Sequence, residues 1–230
     1  MATTKIDRRQ VADTALRLLN DTGLEGLTLR AIAKDLGVQA PALYWHFKNK
    51  EALLDEMATV MYRRMIADGL PGADADSWQG LLRAVNRALR SMLLSHRDGA
   101  KVYGGARFTG NDHAESLEFY LGVLIEAGFD LRDATRAATA SYAYTMGFVA
   151  EEQGTDARPG ETGPGVDTAE RAQRLAAFPL AAAAGPEMFG SYDERFEEGL
   201  DVLIAGIEAK LQADPSIDAV VTLGAPFADT

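Results

Sequence analysis

Apolar residues recur along this chain at three- and four-residue intervals, the spacing of one helix face, and no segment alternates over the length of a strand. Val11, Ala15, Leu18 and Leu19 predict a first helix over about residues 7–22, capped by Asp7 and stopped by Gly23. Leu53, Leu54, Met57, Val60, Met61 and Met65 predict a longer one from residue 50 to about 68, with Asn49 as its cap. Ser77 caps the next, marked by Trp78, Leu81, Leu82, Val85, Leu89, Met92 and Leu93. A short helical piece follows at about residues 100–105, then a helix over about 111–127 closed by Gly128. A long helix starts at Asp130 or Asp133 and runs through Tyr142, Met146 and Val149 to about residue 153. A helix at about 167–184 is interrupted by Pro179, and the last, about 192–211, carries Phe196, Leu200, Leu203, Ile204, Ile207 and Leu211 on one face. The expected fold class is all-α.

Between the first and the longer helix lies TLRAIAKDLGVQAPALYWHFKNK, residues 28–50. Thr28 can cap a short helix through Ala31, Ile32 and Leu36. Gly37 stands where that helix must stop, and it tolerates the left-handed backbone such a stop uses. A second short helix, about residues 39–44, has Pro41 in its first turn, where a missing N–H costs nothing. Two short helices around a tight turn form a helix-turn-helix, whose second helix fits the DNA major groove. The expected division is a DNA-binding head at residues 1–50 with a connecting helix to about 68, then a body at 69–212 after the break LPGADAD. The Gly- and Pro-rich stretch 154–165 reads as a flexible loop, and the tail 213–230, with no helical period, as poorly ordered.

Composition sharpens this picture where it is unevenly distributed. The formal net charge is −11 over 230 residues, which does not suit a DNA binder until it is divided. Residues 1–50 hold eight basic and five acidic side chains, whereas residues 51–230 hold 15 basic and 29 acidic ones. A basic head on an acidic body suits a protein that meets DNA with one end. There is no Cys, so neither a disulfide nor a thiolate site is expected. No apolar targeting segment or membrane-length run is visible, and the expected location is cytoplasmic, with no membrane partner. The three His, at 46, 96 and 113, stand in no triad context and suggest no metal site. Glu151 and Glu152 are adjacent, so they do not face each other on a helix. No enzyme, cofactor or bound metal is therefore expected.

The segment GLEGLTLRAIAKDLGVQAPALYWHFKNKEALLDEM resembles the DNA-binding region of TetR-family transcriptional regulators. SWQGLLRAVNRAL, HRDGAKVYGGAR, EAGFDLRDA and FVAEEQG extend the resemblance into the body, to the tetracycline-repressor-like subgroup. It implies a homodimer, built on a four-helix bundle from the long helix and the last helix of each subunit. It implies double-stranded operator DNA as partner and a small-molecule inducer inside the body. Transferred residue by residue, Arg30, Gln39 and Pro41 become base readers, with Tyr44 and Ala42 in apolar contact. Thr28, Tyr44, His46 and Lys50 become phosphate contacts, and Arg8 and Arg9 could also reach phosphates. Trp45 lies in the same region, although packing the third helix against the first is its preferred role. Ala40 replaces the Gln of the subgroup and cannot make that residue's bidentate adenine contact.

In the body, the resemblance is informative through what is absent. Members that bind a magnesium–tetracycline chelate use two His, an Asn, a Phe, a Thr and a Gln. The matching positions here are Ile66, Tyr103, Val85, Leu89, Ala106 and, nearby, Tyr120. Arg107 and Glu151 remain. The implied pocket is apolar with a few phenols: Ile66, Val85, Leu89, Tyr103, Phe108, Tyr120, Leu124, Tyr142, Tyr144 and Phe148. Such a lining suits a hydrophobic or aromatic ligand without metal. A small-molecule-binding protein whose head has no operator is the alternative.

Overall fold

The computed structural model describes residues 6–155 and 165–212, and all regular structure there is helical. The loop expected at 154–165 and the tail at 213–230 lie almost wholly outside the described residues. The first three helices are α1 (Arg8–Gly26), α2 (Leu29–Asp35) and α3 (Ala40–Tyr44). Asp7 caps α1 by accepting from the Gln10 amide at 2.7 Å, and Thr28 caps α2 by accepting from Ala31 at 3.1 Å. Gly23, at φ 70° and ψ 173°, breaks α1 where the sequence placed its stop. The residues after Gly23, which the Gly-rich sequence GLEGLT suggests as a turn, continue as a helical turn to Gly26. Gly37 takes φ 67° between α2 and α3.

Asn49 caps α4 (Lys50–Met65) by accepting from Ala52 at 2.9 Å. This helix belongs to two neighbourhoods at once. Its first turns bury Leu53 and Met57 against Val11, Leu19, Ile32, Leu43 and Phe47 of the head. Its later turns reach α5 (Trp78–Leu94) and α6 (Gly99–Tyr103), so the same core continues to Leu89, Leu93, Val102 and Tyr103. The boundary at residue 50 is thus a helix cap rather than a gap in the packing.

A second core lies among α5, α7 (Asp112–Glu126), α8 (Leu131–Gly154) and α12 (Tyr192–Gln212), around Trp78, Leu124, Phe129, Phe196 and Leu200. Trp78 meets Phe129 edge-on at 5.1 Å. Arg90 pins α5 to α8 and α12, donating to Glu152 and Asp193 at 2.7 Å each. Between α8 and α12, the helix expected at 167–184 is instead three short ones: α9 (Thr168–Arg174), α10 (Pro179–Ala183) and α11 (Gly185–Phe189). Pro179 and Pro186 each sit in the first turn of a new helix, the position that tolerates proline.

Candidate nucleic-acid interface and ligand site

The outer face of α2 and α3 collects most of the expected DNA-contacting residues. Arg30, Gln39, Pro41 and Tyr44 are exposed. Gln39 occupies the cap position of α3 without using its side chain there, so its amide is available for other contacts. Thr28 spends an acceptor lone pair on the Ala31 amide and keeps its hydroxyl proton to donate. Ala40 and Ala42 are half-buried and lean on the head's core.

Trp45 is placed otherwise than the sequence reading preferred, and Arg8 and Lys50 have partners within the chain. Trp45 is 89% exposed, so it does not pack the third helix against the first. Phe47 does that, fully buried, because the chain turns after Tyr44 and sends Trp45 outward. Arg8 turns inward to Glu56, at 2.8 Å, and to the carbonyl of His46, at 2.5 Å. The Lys50 ammonium donates to the Leu24 carbonyl at 2.9 Å and so ties the start of α4 to the end of α1.

The expected pocket residues do not form one site. Tyr142 and Tyr144 lie two positions apart on α8, about 200° around its axis. Tyr142 lies near Tyr103, and Tyr62 of α4 lies near both Tyr103 and Tyr120. Tyr103 stacks edge-on to Phe108 at 5.5 Å, and Phe108 lies flat against His113 at 4.9 Å. Tyr62 completes this nest, with its ring 5.3 Å from Phe108 and 5.7 Å from His113. Tyr62 and His113 were not among the expected pocket residues. Tyr62 stands one helical turn before Ile66, so the i, i+4 spacing was a signal for it.

Tyr62 and Tyr103 form a buried inner wall of the nest, Phe108 and Tyr120 are half-buried, and Tyr142 and His113 reach the surface. Burial pushes the Tyr103 phenol far above its ordinary range, with the Tyr142 and Tyr62 phenols adding to the effect. Burial, then Tyr62, pushes Tyr120 up to about 12. Burial lowers His113, which favours the neutral imidazole. The Tyr120 hydroxyl is buried and has no hydrogen-bond partner among the described residues.

Tyr144, Phe148 and Glu151 face the other way, towards α11 and α12. With Thr155, Tyr192 and Arg195 they line a cavity of about 280 Å³. The Tyr144 hydroxyl donates to the Phe196 carbonyl at 2.9 Å. Leu124 is core packing beneath this side, Leu89 is core packing on the nest side, and Val85 is half-buried on α5. Arg107 is exposed and lines a groove of about 390 Å³ with Lys48, Asn49 and Asp55 at the start of α4. Among the described residues no three His, Asp or Glu gather as a metal site.

Two family models match the chain: "Bacterial regulatory proteins, tetR family" over residues 11–57, and "Tetracyclin repressor-like, C-terminal domain" over residues 70–211. The class A tetracycline repressor protein of transposon 1721 from Escherichia coli is 42% identical over 89% of this chain and 91% of its own. A possible TetR family transcriptional regulator from Streptomyces coelicolor A3(2) superposes with a TM-score of 0.76 at 38% identity, covering 88% of this chain and 99% of that one. The class A repressor in complex with 5a,6-anhydrotetracycline and magnesium superposes with a TM-score of 0.66 at 36% identity, covering 86% of this chain and 96% of that one.

Proposed function

The chain belongs to the TetR family of ligand-responsive transcriptional repressors, and we propose that it is a homodimer that binds a palindromic operator and leaves it when a metal-free hydrophobic or aromatic molecule enters the tyrosine nest. Residues 1–50 are the DNA-binding head and 69–212 the ligand-binding and dimerisation body. The observation that carries the operator reading is the exposed row Arg30, Gln39, Pro41 and Tyr44 on two helices fixed by their caps and by Gly37. Arg30 is suited to a bidentate guanine contact, Gln39 to an adenine, and Pro41 and Ala42 to a thymine methyl. Thr28, Tyr44, Trp45 and His46 surround them as phosphate and edge contacts. Two such heads related by a twofold axis meet half-sites one DNA turn apart, about 34–36 Å. The operator and the protein meet in the cytoplasm, and no described helix is long and apolar enough to cross a membrane.

The metal-free reading rests on the chemistry of the nest. Magnesium takes hard oxygen ligands, mostly carboxylate, phosphate and water. Here the oxygens of Tyr103 and Tyr120 in the nest are phenols whose burial holds them protonated, and the one carboxylate that remains from the chelate-binding set, Glu151, faces the other cavity. Ile66 and Val85 cannot hydrogen-bond at all. The donor set therefore fits a magnesium chelate poorly and fits a flat ligand with a carbonyl facing Tyr120 well. Nothing here favours an enzyme, since the relatives are regulators. Selection from a random pool of DNA duplexes tests the operator reading. It predicts one palindromic motif, and enrichment no greater than non-specific background would sink it.

A further inference from the structure

Glu56 is a carboxylate in a place that carboxylates rarely occupy. It is 6% exposed on α4, between the head and the body. A buried carboxylate is tolerated only when it is paired and hydrogen-bonded. Its Oε2 accepts from Arg8 Nε at 3.0 Å and Nη2 at 2.8 Å. The same oxygen accepts from the Thr109 hydroxyl at 3.3 Å. Arg8 spends its third donor on the His46 carbonyl, just after α3, and lies 4.4 Å over the Phe47 ring. A guanidinium presents its donors in a rigid planar fork. Arg8 therefore holds α1, α4 and the turn after α3 in one fixed relation.

On the body side, the segment after α6 is stapled to α4. The Arg107 amide donates to Asp55 Oδ1 at 2.8 Å, and the Thr109 amide donates to Thr59 Oγ1 at 3.0 Å. Phe108 lies between these staples, and its ring faces Tyr62, Tyr103 and His113. The Phe108 ring forms a wall of the nest, and its chain neighbour Thr109 touches Glu56.

We propose that Glu56 is a positioning residue that couples the tyrosine nest to the recognition helix α3, through Thr109 on one side and Arg8 and the His46 carbonyl on the other. The proposal rests on the operator and ligand reading above. It differs from a merely structural ion pair in one respect. A structural pair changes stability, whereas a coupling residue changes what a disturbance at Phe108 does to α3.

Full-length protein carrying F108A, E56Q, T109V and the two doubles with F108A provides the test. One readout is hydrogen exchange at the His46 and Phe47 amides, both bonded to the Leu43 carbonyl at 2.9 Å. The other is affinity for a duplex selected from a random pool. F108A is expected to speed exchange at these amides about fivefold or more in the otherwise native chain, and less than about twofold alongside E56Q or T109V, the non-additivity of contacting residues. Operator affinity is expected to show the same pattern. Equal factors in all three backgrounds would overturn the coupling. Should E56Q lose its helical circular dichroism, the T109V cycle decides alone, because it leaves the Arg8 pair intact. If exchange is non-additive yet no duplex is selected, the coupling holds and the operator reading falls. If a duplex is selected and the effects multiply independently, the reverse follows.

Discussion

Tyr120 carries a hydroxyl that is buried and without a partner among the described residues. An unsatisfied buried hydroxyl costs folding free energy, about 1–3 kcal/mol. Tyr120→Phe is therefore expected to raise the free energy of unfolding by about 1 kcal/mol, read by urea titration, and to weaken binding of any ligand that offers an acceptor there. A fall in stability would show that the hydroxyl is already satisfied in solution. Arg30→Ala is expected to cost about 1–3 kcal/mol of operator affinity and relax one base position, with the dimer intact by sedimentation. Unchanged affinity would remove Arg30 from the interface. Single residues were legible where a local rule governs them. The caps Asp7, Thr28, Asn49, Ser77 and Asp130 each accept the expected amide. Trp45 and Phe47 were not, because both are large aromatics two positions apart, and only the direction of the turn after α3 decides which one is buried.

Among the elements, the passage from α5 to α6 is the most tightly constrained. A Cβ added at Gly99 would stand 2.1 Å from the Leu93 carbonyl oxygen, a backbone atom that cannot swing aside. Gly99→Ala is expected to destabilise the chain by about 1–3 kcal/mol, measured as a lowered melting temperature, and an unchanged melting temperature would contradict this packing. His96 sits at the same junction, with its Nδ1 2.9 Å from the Ser95 hydroxyl and 3.1 Å from the Met92 carbonyl. Burial lowers its pKa, and so lowers that of His113. The unfolded chain then binds protons at these sites, with unperturbed pKa about 6.5, before the folded chain does, so stability is full above that value and falls as the pH drops below it. His96→Gln should lessen that acid loss in a thermal-melt series. An unaltered pH profile would mean that His96 is not held neutral. Helix positions were readable because apolar spacing and caps agree. The split of the pocket was also present in the sequence, since Tyr142, Met146 and Val149 lie on a different face of α8 from Tyr144, Phe148 and Glu151. The shared aromatic character of the two faces concealed it. The three short helices after α8 were hidden because proline at a helix start and proline as a breaker look alike in one chain.

In the whole molecule, charge and core are divided at different places. The basic excess stays within residues 1–50, while a single core passes through α4 into the body. The head can therefore meet a polyanion, and its core is continuous with that of α5 and α6 in the body. Neither the inward turn of Arg8 nor the burial of Glu56 is encoded by any local pattern. Both depend on helices about 50 residues apart coming together. The claim that joins these observations is that the molecule releases its operator in response to an aromatic ligand without magnesium. The most direct measurement is fluorescence anisotropy of a labelled, selected operator duplex. It would be titrated with 9,10-anthraquinone as a neutral probe and with tetracycline, each with magnesium present and after chelation by EDTA. Release by the quinone that is indifferent to magnesium, and no magnesium-dependent release by tetracycline, is the expected result. Release by tetracycline that requires magnesium would contradict it.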